Sequence, residues 1–348
     1  MLVFLMNNFL ATLLLSTALL NLNSFAKEDH QSFLKISMEV QQELQCEREF
    51  QIINKAFKVR SKDFVDCEDA FWADKAMNKV KQISNISPKV NIELLARDSG
   101  ASFDIGSTIR LPLRLTFSNR WGQVYDSLSL GTDAILYHEY SHAIFGEVIG
   151  KKFYPQFKAM AESLSRYKIA LQNAYATGNY GNAVKYYENQ IKRLQEKMKT
   201  HHEIEYYHLS SSYNEFFADL VAVLVTNNPN SIFNALYYDE MSDQSYQMIK
   251  LRSFEDQSTN YDNRLLNEIH GELALARQFI GKTVLNEIFT IRDEELVNQR
   301  KKALLDNVLK AIDNQMTKRI ELNDFGISPK KNNEELIKEL KEVLKLEV

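Results

Sequence analysis

The chain has 348 residues, of which 11 are Gly and 5 are Pro, while 45% are hydrophobic and 11% aromatic. These sixteen turn-makers are under 5% of the chain, against a usual share of roughly 12%, which excludes an all-β sandwich or barrel and the collagen-like and disordered classes. A net charge of −4, from 42 basic and 46 acidic residues, leaves no basic footprint for nucleic acid. The composition predicts an α+β protein, predominantly helical, with a sizeable core.

Residues 1–26 carry no charge, and Phe9–Leu20 is a mostly apolar run. About twelve such residues are short for a membrane span, which takes ~20, and suit the core of a signal peptide. Ser24-Phe25-Ala26 supplies a small–x–small cleavage pattern, and Lys27-Glu28-Asp29 follow at once. The basic segment that usually opens such a peptide is missing. Residues 1–26 are expected to be a signal peptide that exports the chain to the periplasm or beyond. Cleavage would leave no stable membrane span, and an uncleaved segment would anchor the chain. Cys46 and Cys67 are the only cysteines. In an exported chain they are expected to form a disulfide closing a loop of about twenty residues. Two buried thiols are the alternative, and the absence of C-x-x-C spacing keeps both out of a metal site.

Residues 33–83 read as amphipathic helices, with Phe33, Ile36, Val40, Leu44, Ile52, Phe57 and Val65 at the apolar positions. After Pro88 the grammar changes. Val90–Leu94 alternates as a strand does, and a second alternation puts Ile109, Leu111, Leu113 and Leu115 on one face, with Thr108, Arg110 and Arg114 opposite. Pro112 marks that second strand as an edge. Thr132 or Asp133 is expected to cap a helix over Ala134–Glu147. A helical hairpin spans 155–200 around the break at 177–181. One tetratricopeptide-like spacing, Gly178 to Ala183, has no second copy and does not make a solenoid. A helix at 212–226, a polar stretch at 227–263, helices at 264–280 and 283–320, and an amphipathic tail after Pro329 complete the chain. The tail is expected to pack on its own domain through Leu336, Ile337, Leu340, Val343 and Leu344; docking on a partner is the alternative.

His138-Glu139-Tyr140-Ser141-His142 lies in the helix before the hairpin. At i and i+4 the two imidazoles share a face one turn apart. That spacing suits two positions on one Zn²⁺, with Glu139 next to them to polarise a water. The metzincin pattern would need Gly at 145 and His at 148, where Phe145 and Val148 stand. A later helix offers Asn214-Glu215-Phe216-Phe217-Ala218-Asp219, apolar nearly all round yet bearing two acids at i and i+4. Buried, unpaired carboxylates cost several kcal/mol each, so a nearby cation is expected, and a histidine-bound metal would supply it. The competing reading makes Ser212–Glu215 a capping box at a helix start.

These motifs resemble the gluzincin-type zinc metallopeptidases, the group that includes thermolysin-like enzymes and the E-x-x-A-D families. The resemblance covers His138–His142, Asn214–Asp219 and the strand around Ile109–Leu113. It implies a zincin-like catalytic domain over 89–280 with the 155–200 hairpin inserted, between an N-terminal helical region at 27–88 and a C-terminal one at 281–348. It implies zinc held by His138, His142 and Glu215, Glu139 as general base, and Asp219 orienting a histidine. It implies an extended peptide lying along the strand at Ile109 and Leu111. The 72 residues between His142 and Glu215 are more than compact members have, and the hairpin accounts for them, as a wall or cover of the cleft. Residues 27–88 are either a removable pro-segment or a permanent region.

The implied activity is hydrolysis of peptide bonds in a peptide or protein substrate by a zinc-activated water. The alternatives are a zinc hydrolase of peptidoglycan cross-links and a non-catalytic envelope scaffold. Such chemistry calls for an oxyanion donor, and His270 is the leading candidate for it. Tyr206, Tyr207, Tyr213 and Arg277 are the others, while His201, His202 and His208 read as surface residues.

Overall fold

The computed structural model describes residues 57–61, 67–98, 100–118, 121–126, 129–176, 178, 181–238, 241–255 and 263–346. The expected signal peptide and the expected pairing of Cys46 with Cys67 lie outside what the described residues show. Strand β1 (Phe57–Ser61), helix α1 (Cys67–Ile83) and strand β2 (Val90–Asp98) form a parallel β-α-β unit, with Phe57 opposite Val90. The helix expected across Phe57 is thus a strand. Five residues with Phe57 and Val59 alternating are too short for periodicity to decide, and pairing with β2 decides it.

Strands β3 (Ser102–Phe103), β4 (Thr108–Ser118) and β5 (Val124–Asp126) complete a mixed sheet. Its main path runs β1-β2-β4-β3, with β5 paired to the far end of β4. β2 and β4 are parallel, with Ile92 opposite Ile109; β3 and β4 are antiparallel, with Phe103 opposite Ile109. The expected alternation along β4 is present in part: Ile109, Leu111 and Leu115 are buried and Arg110 and Arg114 exposed, but Leu113 is half-buried and Thr108 is buried against Ser165. β4 lies between β2 and β3 and is not the edge expected from Pro112, which still needs a place with no donor demanded of it. β3 reaches only Ile109 and Arg110, so Pro112 falls where no strand pairs with the outer side of β4 among the described residues.

Helix α2 (Ser129–Phe145) runs on through a π-helical turn, Gly146–Gly150, into Lys151–Phe153. It begins before Thr132 and Asp133, which therefore do not cap it. Thr132 instead donates to the Leu113 carbonyl, and Asp133 accepts from Trp72 of α1. Helices α3 (Pro155–Ala176) and α4 (Asn182–Lys199) are the hairpin. It packs on the sheet through a Thr108–Ser165 hydroxyl pair at 2.9 Å. A Cβ at Gly106 would meet the Ala161 carbonyl at 2.7 Å, so only glycine permits this approach.

Helix α5 (Ile204–Thr226) is longer than expected and ends on Asn227 in the left-handed conformation, whose N–H returns to the Val223 carbonyl. Its early start removes the capping-box reading, since Ser212 and Glu215 stand in mid-helix. The polar stretch after it holds two short helices, α6 (Ser231–Leu236) and α7 (Asp243–Lys250). Then come α8 (Asn263–Leu266), α9 (Ala274–Ile280) with a π-helical turn after it, and Asn286–Thr290. The long α10 (Glu294–Leu322) is capped by Asp293, and the terminal α11 (Pro329–Leu344) by Ser328 with Pro329 in its first turn.

One continuous core joins these pieces. Met77 and Val80 of α1, Ile92 and Ile109 of the sheet, Leu136 of α2, Phe217 and Leu220 of α5, Val308 of α10 and Leu336 of α11 all belong to it. Each such side chain contributes about 1.5–3 kcal/mol on burial. The tail therefore packs on its own fold, as its stripe predicts. Among the described residues no helix is long and apolar enough to cross a membrane.

Candidate metal centre

Two buried helices build the site. α2 packs against β3, β4, α1, α5 and α6, and the Tyr140 hydroxyl ties it to the Pro88 carbonyl at 3.2 Å. His138, Glu139 and His142 leave its α5-facing side and are all less than a tenth exposed. α5 supplies Asn214, Glu215 and Asp219 at the same level.

The two imidazoles meet Nε2 to Nε2 at 3.0 Å. Glu215 Oε2 stands 3.4 Å from His138 Nε2, and Glu215 Oε1 3.6 Å from His142 Nε2. The opposite ring nitrogens have acceptors. His138 Nδ1 faces Asp219 Oδ1 at 3.0 Å, and His142 Nδ1 faces Asn214 Oδ1 at 2.9 Å. Nδ1 of each ring thus has a partner oxygen, and the two Nε2 atoms turn toward one point. His138, Glu139 and His142 form one group able to hold a metal ion; His138, Glu215 and Asp219 form another. The Glu139 carboxylate makes no hydrogen bond among the described residues and lies within 4.8 Å of the histidine donor atoms.

Asp219 differs from expectation in one respect. It is fully buried, but it is not short of cations. Arg252 Nη2 donates to its Oδ1 at 2.6 Å, and Arg277 Nε to its Oδ2 at 2.9 Å. Burial alone would raise the Asp219 carboxyl, and the two guanidiniums with His138 hold it well below the carboxylate range. Glu215 is likewise pulled far down against burial, by His142, His138 and Arg252. Burial would lower the His138 imidazole, but its bonds to Asp219 and Glu215 raise it to about 9. The case for a metal therefore rests on the convergence of donor atoms, and no longer on two acids lacking counter-charge.

His270 comes to the mouth of the site. It is about a third exposed, its Nε2 is 3.4 Å from Glu215 Oε2, and Glu268 accepts from its Nδ1 at 2.5 Å. Tyr213 and Arg277 are removed from any substrate: the Tyr213 hydroxyl donates to Asn332 of α11, and Arg277 is sealed against Asp219. The Tyr206 ring is tilted against that of Phe325, with 5.8 Å between centroids. Burial and the Glu215 charge raise the Tyr207 phenol, and its ring stacks on Phe157 with 5.0 Å between centroids. His202 and His208 are exposed and His201 is half-buried.

The strand beside the centre is β3, not the β4 segment expected. Ile109 and Leu111 are both fully buried, and Ile109 is paired on its two sides, to Ile92 and to Phe103. The Phe103 ring lies nearly parallel to the His142 ring, 6.4 Å between centroids. From there a cleft of about 430 Å³ opens between β3, α2 and α3, lined by Phe103, Ala143, Glu147, Lys158 and Glu162. The hairpin walls this cavity through Lys158, Glu162 and Arg166, and none of His138, Glu139, His142 and Glu215 lines it. Sequence reading missed Arg252, Asn214, Glu268 and Phe103. Arg252 left one trace, the apolar neighbours Leu251 and Phe254, both buried here.

No family model, no curated protein and no solved structure matches the chain.

Proposed function

We propose that the protein is a zinc-dependent peptidase, with His138, His142 and Glu215 as the metal ligands and Glu139 as general base. One observation carries this reading: the Nε2 atoms of His138 and His142 stand 3.0 Å apart, and the two oxygens of Glu215 lie 3.4 Å from the first and 3.6 Å from the second. Tetrahedral zinc with bonds of about 2.0–2.1 Å holds its donors about 3.3 Å from one another. The histidine and carboxylate donor set, with Nδ1 of each ring bound to an acceptor, suits the same ion. Zinc held there supplies a Lewis acid that polarises a carbonyl and acidifies water.

The remaining chemistry belongs to the side chains. Glu139, buried and without a hydrogen-bond partner among the described residues, takes a proton from the attacking water and passes it to the leaving nitrogen. His270, held by Glu268 through Nδ1, would present an Nε2–H to the oxyanion in its imidazolium form. An extended peptide adds to the outer side of β3, with Phe103 setting its distance from His142. The uncharged leader read from the sequence assigns this activity to the periplasm or the exterior.

The test is digestion of a peptide library with and without chelator, alongside metal analysis. The reading expects about one zinc per chain and chelator-sensitive cleavage; under about half a zinc per chain would refute it. Glu139→Gln should keep the zinc and lower cleavage roughly 10²–10⁴-fold.

A further inference from the structure

Among the described residues, Arg252 is the one guanidinium that contacts two of the proposed ligands, His138 and Glu215, and Asp219 behind them. Its Nη2 lies 2.6 Å from Asp219 Oδ1, 3.4 Å from Glu215 Oε2 and 3.3 Å from each ring nitrogen of His138. Its Nε adds a second bond to Asp219, at 3.2 Å from Oδ2. The side chain is buried, and buried Leu251 and Phe254 fix the segment that carries it. Glu215 and Asp219 sit one turn apart on α5, where two carboxylates repel, and the guanidinium bridges them. Arg277 bonds to Asp219 and, among the described residues, to no oxygen of Glu215, so it does a different job.

We propose that Arg252 is a built-in counter-cation of the centre. It holds Glu215 and Asp219 in ligand position before a metal enters, and its charge then opposes the incoming ion and weakens its binding. The inference rests on the metal reading above. Arginine and metal neutralise the same carboxylates, so each is worth more when the other is absent. A merely structural arginine would lower stability equally with and without metal.

The experiment uses the full chain stripped of metal, as the parent, Arg252→Met and Arg252→Lys. Zn²⁺ affinity is measured by competition with a chromophoric chelator, and melting is followed with and without Zn²⁺. For Arg252→Met the expected result is a lower melting temperature without metal, a larger rise on adding zinc than the parent shows, and zinc binding roughly tenfold tighter. Arg252→Lys, which keeps the charge, should return both quantities toward the parent. Recovery of folded Arg252→Met only in the presence of zinc is the extreme form of the same result. Equal or weaker zinc binding, an equal zinc-induced rise, or failure to fold in both conditions overturns the inference. If the parent itself binds no zinc, the metal reading falls as well, and the parent titration alone reports that.

Discussion

Asp219→Asn keeps the shape of a fully buried side chain and removes its charge. Arg252 retains a second carboxylate in Glu215, at 3.4 Å. Arg277 does not: it is fully buried, its contacts to Asp219 are at 2.9 and 2.7 Å, and among the described residues its Nη1 already has no hydrogen-bond partner. Stranding a buried charge costs about 3–5 kcal/mol, and the partner left to Arg252 points to the lower end, about 3 kcal/mol. In a domain of this size that lowers the melting temperature by on the order of 10 °C. The bond from His138 Nδ1 to Asp219 weakens too, so zinc affinity should fall roughly 10–100-fold. Calorimetry of the metal-free chain and a chelator competition measure the two effects.

Acid supplies a further check on the same residue. The Asp219 carboxyl is held well below its ordinary value in the folded chain. The unfolded chain therefore takes up this proton first, at about pH 4. The contribution of Asp219 is fully present above that pH and is lost as pH falls toward the folded value. Parent and variant should converge in melting temperature on acidification. A drop under about 2 °C at neutral pH, or a gap that stays constant into acid, would refute the pairing of Asp219 with the two arginines.

Further predictions concern the base, the donor, the proton balance and the packing behind Arg252. Glu139→Gln separates metal binding from turnover, and cleavage at the parent rate would refute the base assignment. For His270→Ala, kcat should fall roughly 10²–10³-fold with zinc content unchanged, and an unaltered kcat removes His270 from the mechanism. His138 is raised to about 9 without metal, so its contribution to the metal-free fold is present below about pH 6.5 and fades as pH rises through about 9. Zinc uptake near pH 7 should accordingly release a proton, and calorimetry in two buffers of different ionisation heat would detect its absence. Gly281→Ala would place a Cβ 1.8 Å from the Phe254 carbonyl oxygen, two residues from Arg252. Such overpacking costs about 1–3 kcal/mol, and an unchanged melting temperature would contradict the contact.

What the sequence determines here is local. Helical geometry alone puts His138 and His142 on one face, and likewise Glu215 and Asp219, because residues four apart stack whatever lies around them. The period-two pattern of Ile109 to Leu115 and the apolar stripe from Leu336 to Leu344 are legible for the same reason. The sequence also states the problem of two acids in an apolar helix, and it offers only the metal as an answer. The tertiary structure supplies another: Arg252 and Arg277, which are 33 and 58 residues from Asp219 along the chain. No periodicity links such positions, and only packing brings them within 3 Å of the carboxylate. Strand identity at Phe57 and the choice of β3 as the strand beside the centre were decided in the same way. Pairing partners, and not the short segments themselves, determine which backbone becomes strand and which side is left open.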